Sequence, residues 1–425
     1  MRLALSTLQW AMFILAGSVV APLAIGQAYG MSPQEIGEFV QRTLFVLGIV
    51  ALMQTWWGHR MPIMEGPAAL WWGVFLLFGS MAPAIGQEPR SILPALGLGL
   101  IFSGVLFVIM SVCGWIAVIR RLFTPAVIGT YFILLVLQMS GPFLNGILGS
   151  TSESFDSCAT AIAIATLILS LMLARSSKAF LRNYSVLISI LFGWSLFQIF
   201  GLQEPFGEVS EPVITMPDMW SFGWPQWDGG IILTSVIVTL LLLSNMIASM
   251  EAVGQVVGHK DQGSEKRTGL IMGTSQLLSA SFATVSFVPL SYTAGFIMTT
   301  RMKEKLPFLL GNIFLVVISF FPVITRIFAS IPVSVGYASI FLSFVNMLGM
   351  GLREVGRAGL GERQVYIVGI SLMIGTGCMF LPASFFMLVP TFLSPLISNG
   401  LLMGVASCLV LERLVRKEEA AESSY

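Results

Sequence analysis

Charged residues are scarce in this sequence. Asp, Glu, Lys and Arg make up only 10% of the 425 residues, whereas they form about 25% of a typical soluble domain. Hydrophobic residues make up 56% of the chain, which excludes an ordinary soluble protein. The composition predicts an all-α polytopic membrane protein, because a helix satisfies its own backbone hydrogen bonds inside a lipid bilayer.

Cysteine, phosphate-binding motifs and clustered basic charge are also scarce, and each absence excludes a class of function. The four cysteines show no C-x-x-C spacing, so we expect no disulfide framework, no metal site and no cofactor. The net charge is only +1 and the sequence contains no basic tract, which argues against a nucleic-acid partner. The Gly-rich stretches lack the pattern G-x-x-x-x-G-K-[ST]. No nucleophile stands beside a base, so an enzyme has little support.

Long hydrophobic runs are abundant instead. A membrane-spanning helix needs about 20 apolar residues, and fourteen stretches meet this need if two short ones, the third and the tenth, are counted. They lie near residues 4–28, 39–57, 67–86, 92–119, 125–149, 157–174, 184–202, 229–257, 268–286, 287–300, 307–325, 331–351, 364–382 and 390–411. With the N-terminus inside, 19 of the 22 Lys and Arg residues fall on the cytoplasmic side. Because positive charge concentrates in cytoplasmic loops, we expect a multi-pass protein of the cell membrane with both termini cytoplasmic.

A long polar connection divides the chain into two halves. Residues 203–228 carry four prolines and five acidic residues and are predicted to form an external linker. The linker separates a first seven-span repeat at 1–202 from a second at 229–412, and residues 413–425 form a cytoplasmic tail. An odd number of spans per half gives the halves opposite orientations, which is the inverted-repeat plan of many secondary transporters.

The third and tenth spans occupy corresponding positions in the two repeats, and both contain residues that disfavour a helix. Span three opens Met-Pro-Ile-Met-Glu-Gly-Pro at 61–67, and span ten opens Phe-Val-Pro-Leu-Ser-Tyr-Thr-Ala-Gly at 287–295. We therefore expect short extended breaks there. Such backbone is tolerated at membrane depth only where it is buried in protein or lines a cavity. Paired breaks of this kind indicate a transport site.

Two acidic residues, Glu65 and Glu251, fall inside predicted spans and away from loops. A charged carboxylate is costly in a bilayer, so both are candidates for a binding site and for proton coupling. Glu65 lies about 16 Å from Arg60 if the chain between them is extended, and Glu251 lies about 12 Å from His259 if the chain between them is helical. Both carboxylates can therefore lie at the same membrane depth as span ten. Both histidines, His59 and His259, fall in predicted cytoplasmic loops. Two alternatives stay open: Glu251 reaches back to the interface, or Glu65 pairs with Arg60 at the membrane edge.

Three short motifs stand in spans one, eight and ten. Residues 8–10 read Leu-Gln-Trp, residues 251–254 read Glu-Ala-Val-Gly, and residues 295–301 read Gly-Phe-Ile-Met-Thr-Thr-Arg. They resemble the Leu-Gln-His, Glu-x-x-Gly and Asn-x-Gly-x-x-x-x-Thr-Arg motifs of the nucleobase and ascorbate transporter family, which includes bacterial uracil and xanthine permeases. The resemblance covers essentially the whole chain and implies that Glu251 binds a base.

The sequence departs from the family pattern within these motifs. Tyr292 and Thr293 stand where the family usually has Gln or Glu followed by Asn, and Gln255 stands where some members carry histidine. Tyrosine cannot present a bidentate carboxylate or amide edge, and Glu65 is placed to supply the carboxylate that span ten lacks. We expect Glu65 and Glu251 to couple protons as well as to bind substrate. The predicted substrate-binding residues are Glu65, Glu251, Gln255, Ser291, Tyr292, Thr293 and Gly295.

The resemblance also implies an architecture and a function. Spans 1–4 and 8–11 would form a core domain, and the remaining spans a gate domain through which two copies form a homodimer. The implied function is proton symport of a nucleobase, purine or xanthine-like in preference to uracil, by elevator-type movement of the core. One alternative is an anion transporter of the same fold, which a basic residue in the broken segments would favour, and none is visible there. The other is a non-transporting membrane sensor or scaffold, which the altered residues Tyr292 and Thr293 keep open.

Overall fold

The computed structural model describes residues 2–81, 88–148, 156–202, 213–258, 264–329, 331–381, 397 and 399–415, and these form helices with one short sheet. The elements of the first half are α1 Arg2–Ser18, α2 Val20–Ala28, α3 Pro33–Trp56, β1 Glu65–Pro67, α4 Ala69–Met81, a 3₁₀ helix at Pro89–Ile92, α5 Leu93–Val112, α6 Trp115–Arg120, α7 Pro125–Leu148, α8 Ser157–Ala174, α9 Ala179–Asn183 and α10 Ser185–Ile199.

The second half begins with the longest of these helices. Its elements are α11 Gly229–Val257, α12 Glu265–Ser281, β2 Phe287–Pro289, α13 Thr293–Thr300, α14 Lys305–Ser319, α15 Pro322–Ala329, α16 Val333–Ala358, α17 Glu362–Met379 and α18 Gly400–Leu414.

Polar residues just before the helices explain where several of them begin. Ser32 and Glu35 form a capping box at α3, in which each side chain accepts a backbone N–H of the other residue. Asp228 caps α11 and Asn399 caps α18 through their side-chain oxygens. These caps satisfy backbone donors that the first helical turn leaves without a partner.

The helices pack in two groups. In one group, α3 packs on α12 and α14, and α5 packs on α11 and α12. In the other, α16 packs on α7, α8 and α10, while α18 packs on α7 and α17. Helices α1 and α13 join the groups, because α1 contacts α14 and α16, and α13 contacts α11 and α16.

The two strands form an antiparallel pair that is buried along its whole length. The paired residues are Glu65 with Pro289, Gly66 with Val288, and Pro67 with Phe287. The prediction of extended breaks in both halves is confirmed by these strands. Their pairing satisfies backbone N–H and C=O groups that are buried in the protein and belong to no helix.

Within the described residues, seven helices are long and apolar enough to cross a membrane by length and composition. They are Arg2–Gly26, Pro33–Trp56, Pro89–Val112, Pro125–Leu148, Ser157–Ala174, Gly229–Val257 and Val333–Ala358. These helices indicate a multi-pass membrane protein. The count of fourteen spans and the inverted repeat stay predictions.

Several predictions fall on parts of the chain that lie outside the described residues. These parts are residues 203–212 of the linker, His259, most of the stretch 382–398 that includes the start of the last predicted span, and residues 416–425 of the tail.

Candidate functional site

A cavity of about 170 Å³ lies at the boundary between the two helix groups. Leu290, Ser291 and Tyr292, which follow β2, line it together with Asn245 of α11. Side chains of α7, α16 and α18 line the opposite side. The space is several times that of one water molecule, about 30 Å³, so it suits a small organic ligand.

Several aromatic rings line this cavity and pack against one another. The Tyr292 ring lies nearly parallel to that of Phe344 on α16, with centroids 4.8 Å apart and planes at 29°. Phe143 of α7 contacts Phe344 at 4.3 Å and Tyr337 at 4.6 Å between centroids. Aromatic faces of this kind favour a planar conjugated ligand, because both surfaces are apolar and flat.

Three side-chain amides are among the polar groups that line the cavity. The amide oxygens of Gln138 and Asn399 accept backbone N–H groups in the first turn of α18, at 2.9 and 3.2 Å. The amide oxygen of Asn245 accepts the hydroxyl of Tyr131 at 2.6 Å. A few positioned polar groups in an otherwise apolar cavity are typical of small-molecule sites.

Helix α11 holds the end of β2 in place through Ser249, which is fully buried. The Ser249 hydroxyl donates to the carbonyl of Pro289 at 2.7 Å and lies 2.7 Å from the hydroxyl oxygen of Ser291. Asn245 precedes Ser249 by one helical turn and therefore lies on the same face of α11. This face positions Ser291 and Tyr292 in the cavity.

The predicted residues Ser291 and Tyr292 line the cavity, whereas Thr293 supports the strands. The Thr293 hydroxyl accepts the backbone N–H of Met64 at 3.2 Å. The Leu290 N–H donates to the carbonyl of Met64 at 2.9 Å. Thr293 therefore extends the hydrogen bonding between the two broken segments.

Gly295 is a point of close contact between helices. A Cβ at Gly295 would overlap the backbone carbonyl of Ser343 on α16. The Gly295 carbonyl accepts the hydroxyl of Thr299 at 2.9 Å and the amide of Asn346 at 3.4 Å. The residue thus allows α13 to approach α16, and it does not line the cavity.

Glu65 forms a buried pair with His59. Both side chains are 0% exposed, and His59 Nε2 lies 3.2 Å from Glu65 Oε1. Because His59 Nδ1 accepts the Met61 N–H at 3.1 Å, Nε2 carries the hydrogen that is donated to the carboxylate. His59 lies in the loop after α3, as predicted, but this loop turns back into the protein and buries the side chain against Glu65, a contact that the sequence analysis did not predict. Arg60 is exposed, and the side chain that contacts the Glu65 carboxyl group is His59, through a hydrogen bond.

Glu251 and Gln255 lie toward the C-terminal end of α11, apart from the cavity. Gln255 donates to Glu251 at 3.2 Å. Both line a second pocket with Glu354 and Arg357 of α16, which form an ion pair at 2.5 Å. The helix rises about 9 Å over the six residues from Asn245 to Glu251. The structure does not bring Glu251 to the cavity, and direct contact between Glu251 and a base stays a prediction.

The motif in span one has a structural role in the fold. Gln9 accepts the backbone N–H of Leu187 at 2.8 Å and so joins α1 to α10. Trp10, which replaces the histidine of the family pattern, is fully buried. Its ring contacts Phe296 at 4.6 Å and Phe308 at 4.9 Å between centroids. Trp10 therefore fills space between α1, α13 and α14.

The sequence analysis missed several residues that line or support the cavity. Asn245 and Ser249 are polar residues one turn apart in an apolar run, and Tyr131 and Gln138 are two turns apart in another. Spacings of four and seven residues place such pairs on one helix face, which is a signal for a polar site inside a bundle. Asn399 carries no comparable signal, because it is the N-cap residue of α18 and is not part of a helix face.

The described lining of the cavity contains no charged side chain. A neutral lining favours a ligand without a full formal charge, since a buried charge requires a partner. The amides, hydroxyls and aromatic faces can instead bind a polar, planar and uncharged molecule.

The fold resembles those of solved membrane transporters. The transmembrane domain of the cyanobacterial bicarbonate transporter BicA matches with a TM-score of 0.60 at 11% identity, over 96% of this chain and 97% of that one. SLC26A9 matches with a TM-score of 0.60 at 11% identity, over 96% of this chain and 65% of that one. Identities this low show a shared fold only.

Sequence relatives cover almost the whole chain. YwdJ of Bacillus subtilis, named as a candidate purine permease, is 36% identical over 97% of this chain and 96% of its own length. The uric acid transporter UacT of Escherichia coli is 27% identical over 96% of this chain and 85% of its own length. The xanthine permease of Bacillus subtilis is 24% identical over 95% and 91%. A family model described as "Permease family" matches residues 1–384. The chain therefore belongs to this permease family, the nucleobase and ascorbate transporters.

Proposed function

We propose that this protein is a secondary active transporter that imports a nucleobase, purine or xanthine-like in preference to uracil, by proton symport. The observation that carries the proposal is the cavity beside the paired breaks, which combines flat aromatic walls with three amides and no charged side chain in its described lining. The similarity to permeases named for purines, uric acid and xanthine supports the same substrate class.

A nucleobase fits the chemistry of this cavity. Stacking of a base on an aromatic ring contributes about 1–3 kcal/mol, and Tyr292 and Phe344 present such rings. Discrimination between bases comes from hydrogen bonds to their N–H and C=O edges, because a buried polar group without a partner is heavily penalised. Asn245 and Ser291 are placed on one side of the cavity to supply such bonds.

The neutral lining distinguishes a base from an inorganic anion. An anion needs a cationic side chain or several converging N–H donors when it leaves water. No Lys, Arg or His stands among the described residues that line the cavity. The alternative of an anion transporter with this fold is therefore less well supported, although the solved structures that match in fold include a bicarbonate transporter.

Glu65 and Glu251 are the groups that we propose for proton coupling. Glu65 is buried against His59 and is the first residue of β1, where it pairs with Pro289, so a change in its charge acts directly on the broken segment. Glu251 lies in the second pocket with Arg357, at the boundary between α11 and α16. The positions of the two carboxylates favour a coupling role for both, with Glu65 the closer to the sheet.

Relative movement of the two helix groups is the mechanism that we propose for transport. The cavity lies between the groups, so sliding one group past the other would expose it to alternate sides of the membrane. This proposal includes fourteen spans in two inverted repeats, cytoplasmic termini, a place in the cell membrane and a homodimer formed through the gate helices. The exposed face of α8 is apolar at Ile164, Ile168 and Met172, as contact with lipid requires.

Reconstitution tests the proposal. Purified protein in liposomes is given labelled xanthine, urate, hypoxanthine or uracil with the outside made acidic. We expect accumulation of at least one purine that depends on the imposed gradient and is abolished by a protonophore. Folded protein that accumulates none of these bases under any gradient would contradict the proposal, and accumulation that is insensitive to a protonophore would contradict only the proton coupling.

A further inference from the structure

Two amide side chains meet at the N-terminus of α18. Asn399 precedes the helix and accepts the N–H of Leu402 at 3.2 Å, while Gln138 of α7 accepts the N–H of Leu401 at 2.9 Å. Asn399 is 9% exposed, and all four residues line the cavity. Two side chains that are distant in sequence thus accept two neighbouring backbone N–H groups in the first turn of α18.

These bonds fix the direction of both amides. A backbone N–H is only a donor, so the side-chain atom that faces it must be the amide oxygen. The NH₂ groups of Gln138 and Asn399 therefore remain as donors. Within the described residues, neither nitrogen is hydrogen-bonded to a protein acceptor. Asn399 is 9% exposed and Gln138 is partly buried, so both NH₂ groups belong to side chains that line the cavity, where a ligand can supply the acceptor.

The N-terminus of α18 also favours a ligand that supplies a hydrogen-bond acceptor. The N-terminus of a helix carries a partial positive charge, equivalent to roughly half an elementary charge, which favours an electron-rich group nearby. At α18, the two amides relay this polarity into the cavity, since their oxygens face the helix and their nitrogens face away from it. The acceptor that fits is a neutral, strongly polarised carbonyl oxygen.

We propose that Gln138 and Asn399 are specificity-determining residues that bind an exocyclic oxo group of the transported base. The proposal rests on the proposed function and adds a contact on the α7 and α18 side, opposite the broken segments. A base that presents an amino group at this position would place donor against donor. The loss of matched hydrogen bonds in a buried site lowers affinity on the order of 10- to 100-fold.

Two substitutions remove the donors while keeping the bonds to α18. Gln138→Glu and Asn399→Asp retain the accepting oxygen in the same place, and aspartate is as good a helix cap as asparagine. The measurement is competition against labelled substrate by xanthine, hypoxanthine, adenine and 2,6-diaminopurine. We expect the wild type to prefer the oxopurines over the aminopurines by at least about 10-fold. Each variant should lose most of this preference, and aminopurines should gain in relative affinity.

The controls distinguish the loss of the amide donor from the effect of the added negative charge and from a general loss of transport activity. Asn399→Ser keeps a capping oxygen without a charge and should show the same loss of preference. Gln226→Glu makes the matched change at an exposed side chain and should leave the ranking unchanged. If a variant does not transport, ligand-induced thermal stabilisation of the purified protein gives the ranking.

Two results distinguish this inference from the proposed function. If the wild type transports a base but the variants at Gln138 and Asn399 keep its ranking of oxo and amino bases, the inference is overturned and the proposed function stands. If the wild type neither binds nor transports any base, the proposed function fails first, and the inference fails with it.

Discussion

The ring of Tyr292 stacks on that of Phe344 at 4.8 Å, so the segment that follows β2 contacts α16 across the candidate binding cavity. Tyr292 belongs to the broken segment held by α11, and Phe344 belongs to the group of helices around α7 and α16. A ligand that enters between the two groups must interact with this ring pair. The contact therefore links ligand binding to the relative position of the groups.

Tyr292→Glu should change the ranking of bases in competition uptake. The substitution replaces a phenol by a carboxylate, which accepts two hydrogen bonds from adjacent N–H groups of a base. Bases with two neighbouring N–H groups should gain relative to those without them. An unchanged ranking with unchanged affinity would mean that Tyr292 does not face the ligand.

Gly295→Ala should destabilise the protein. The added Cβ would overlap the backbone carbonyl of Ser343, so α13 could no longer approach α16 as closely as it does in the wild type. Overpacking of this kind costs about 1–3 kcal/mol. The measurement is the melting temperature in detergent. Gly369→Ala is the matched control, since a Cβ there meets no atom within 4 Å. Equal melting temperatures for the two variants would contradict the close contact, and Gly295→Leu should abolish transport altogether.

Glu65→Gln should keep base binding but make uptake less dependent on external pH. The amide oxygen of glutamine can still accept the His59 hydrogen, so the geometry survives while the titrating group is lost. Binding is measured by thermal stabilisation and coupling by uptake at several external pH values. Glu362→Gln, at an exposed position, serves as the control. A pH dependence that matches the wild type would remove Glu65 from the coupling mechanism.

Much of the architecture could be predicted from the sequence because it depends on local patterns. Proline and glycine at 61–67 and 287–295 predicted the two breaks, and the structure pairs them as β1 and β2. Tyr292 was found through the resemblance to the family motif in span ten, and Ser291 precedes it in the same broken segment. It was harder to predict which residues of a span face the cavity. Glu251 and Asn245 lie on one helix, and periodicity alone does not say which face of a buried helix meets the cavity.

Side-chain contacts that depend on the tertiary path of the chain could not be predicted from the sequence. His59 was expected in a loop, yet the turn after α3 buries it against Glu65, and only the tertiary path of the chain shows this. Gln138 and Asn399 are likewise joined by the position of α18 relative to α7. Hydrophobic patterns identify helices, but the contacts between helices depend on how their side chains pack.

Calorimetric titration of the purified protein with xanthine or hypoxanthine, for the wild type and for Asn245→Leu, tests the central claim most directly. Asn245 lines the cavity and bonds to Tyr131, so the account predicts binding by the wild type and a loss of at least about 10-fold in Asn245→Leu, whose buried polar partners lose their match. The melting temperatures of the two proteins should show that both are folded. Binding by folded Asn245→Leu with the affinity of the wild type would contradict the placement of the base in this cavity.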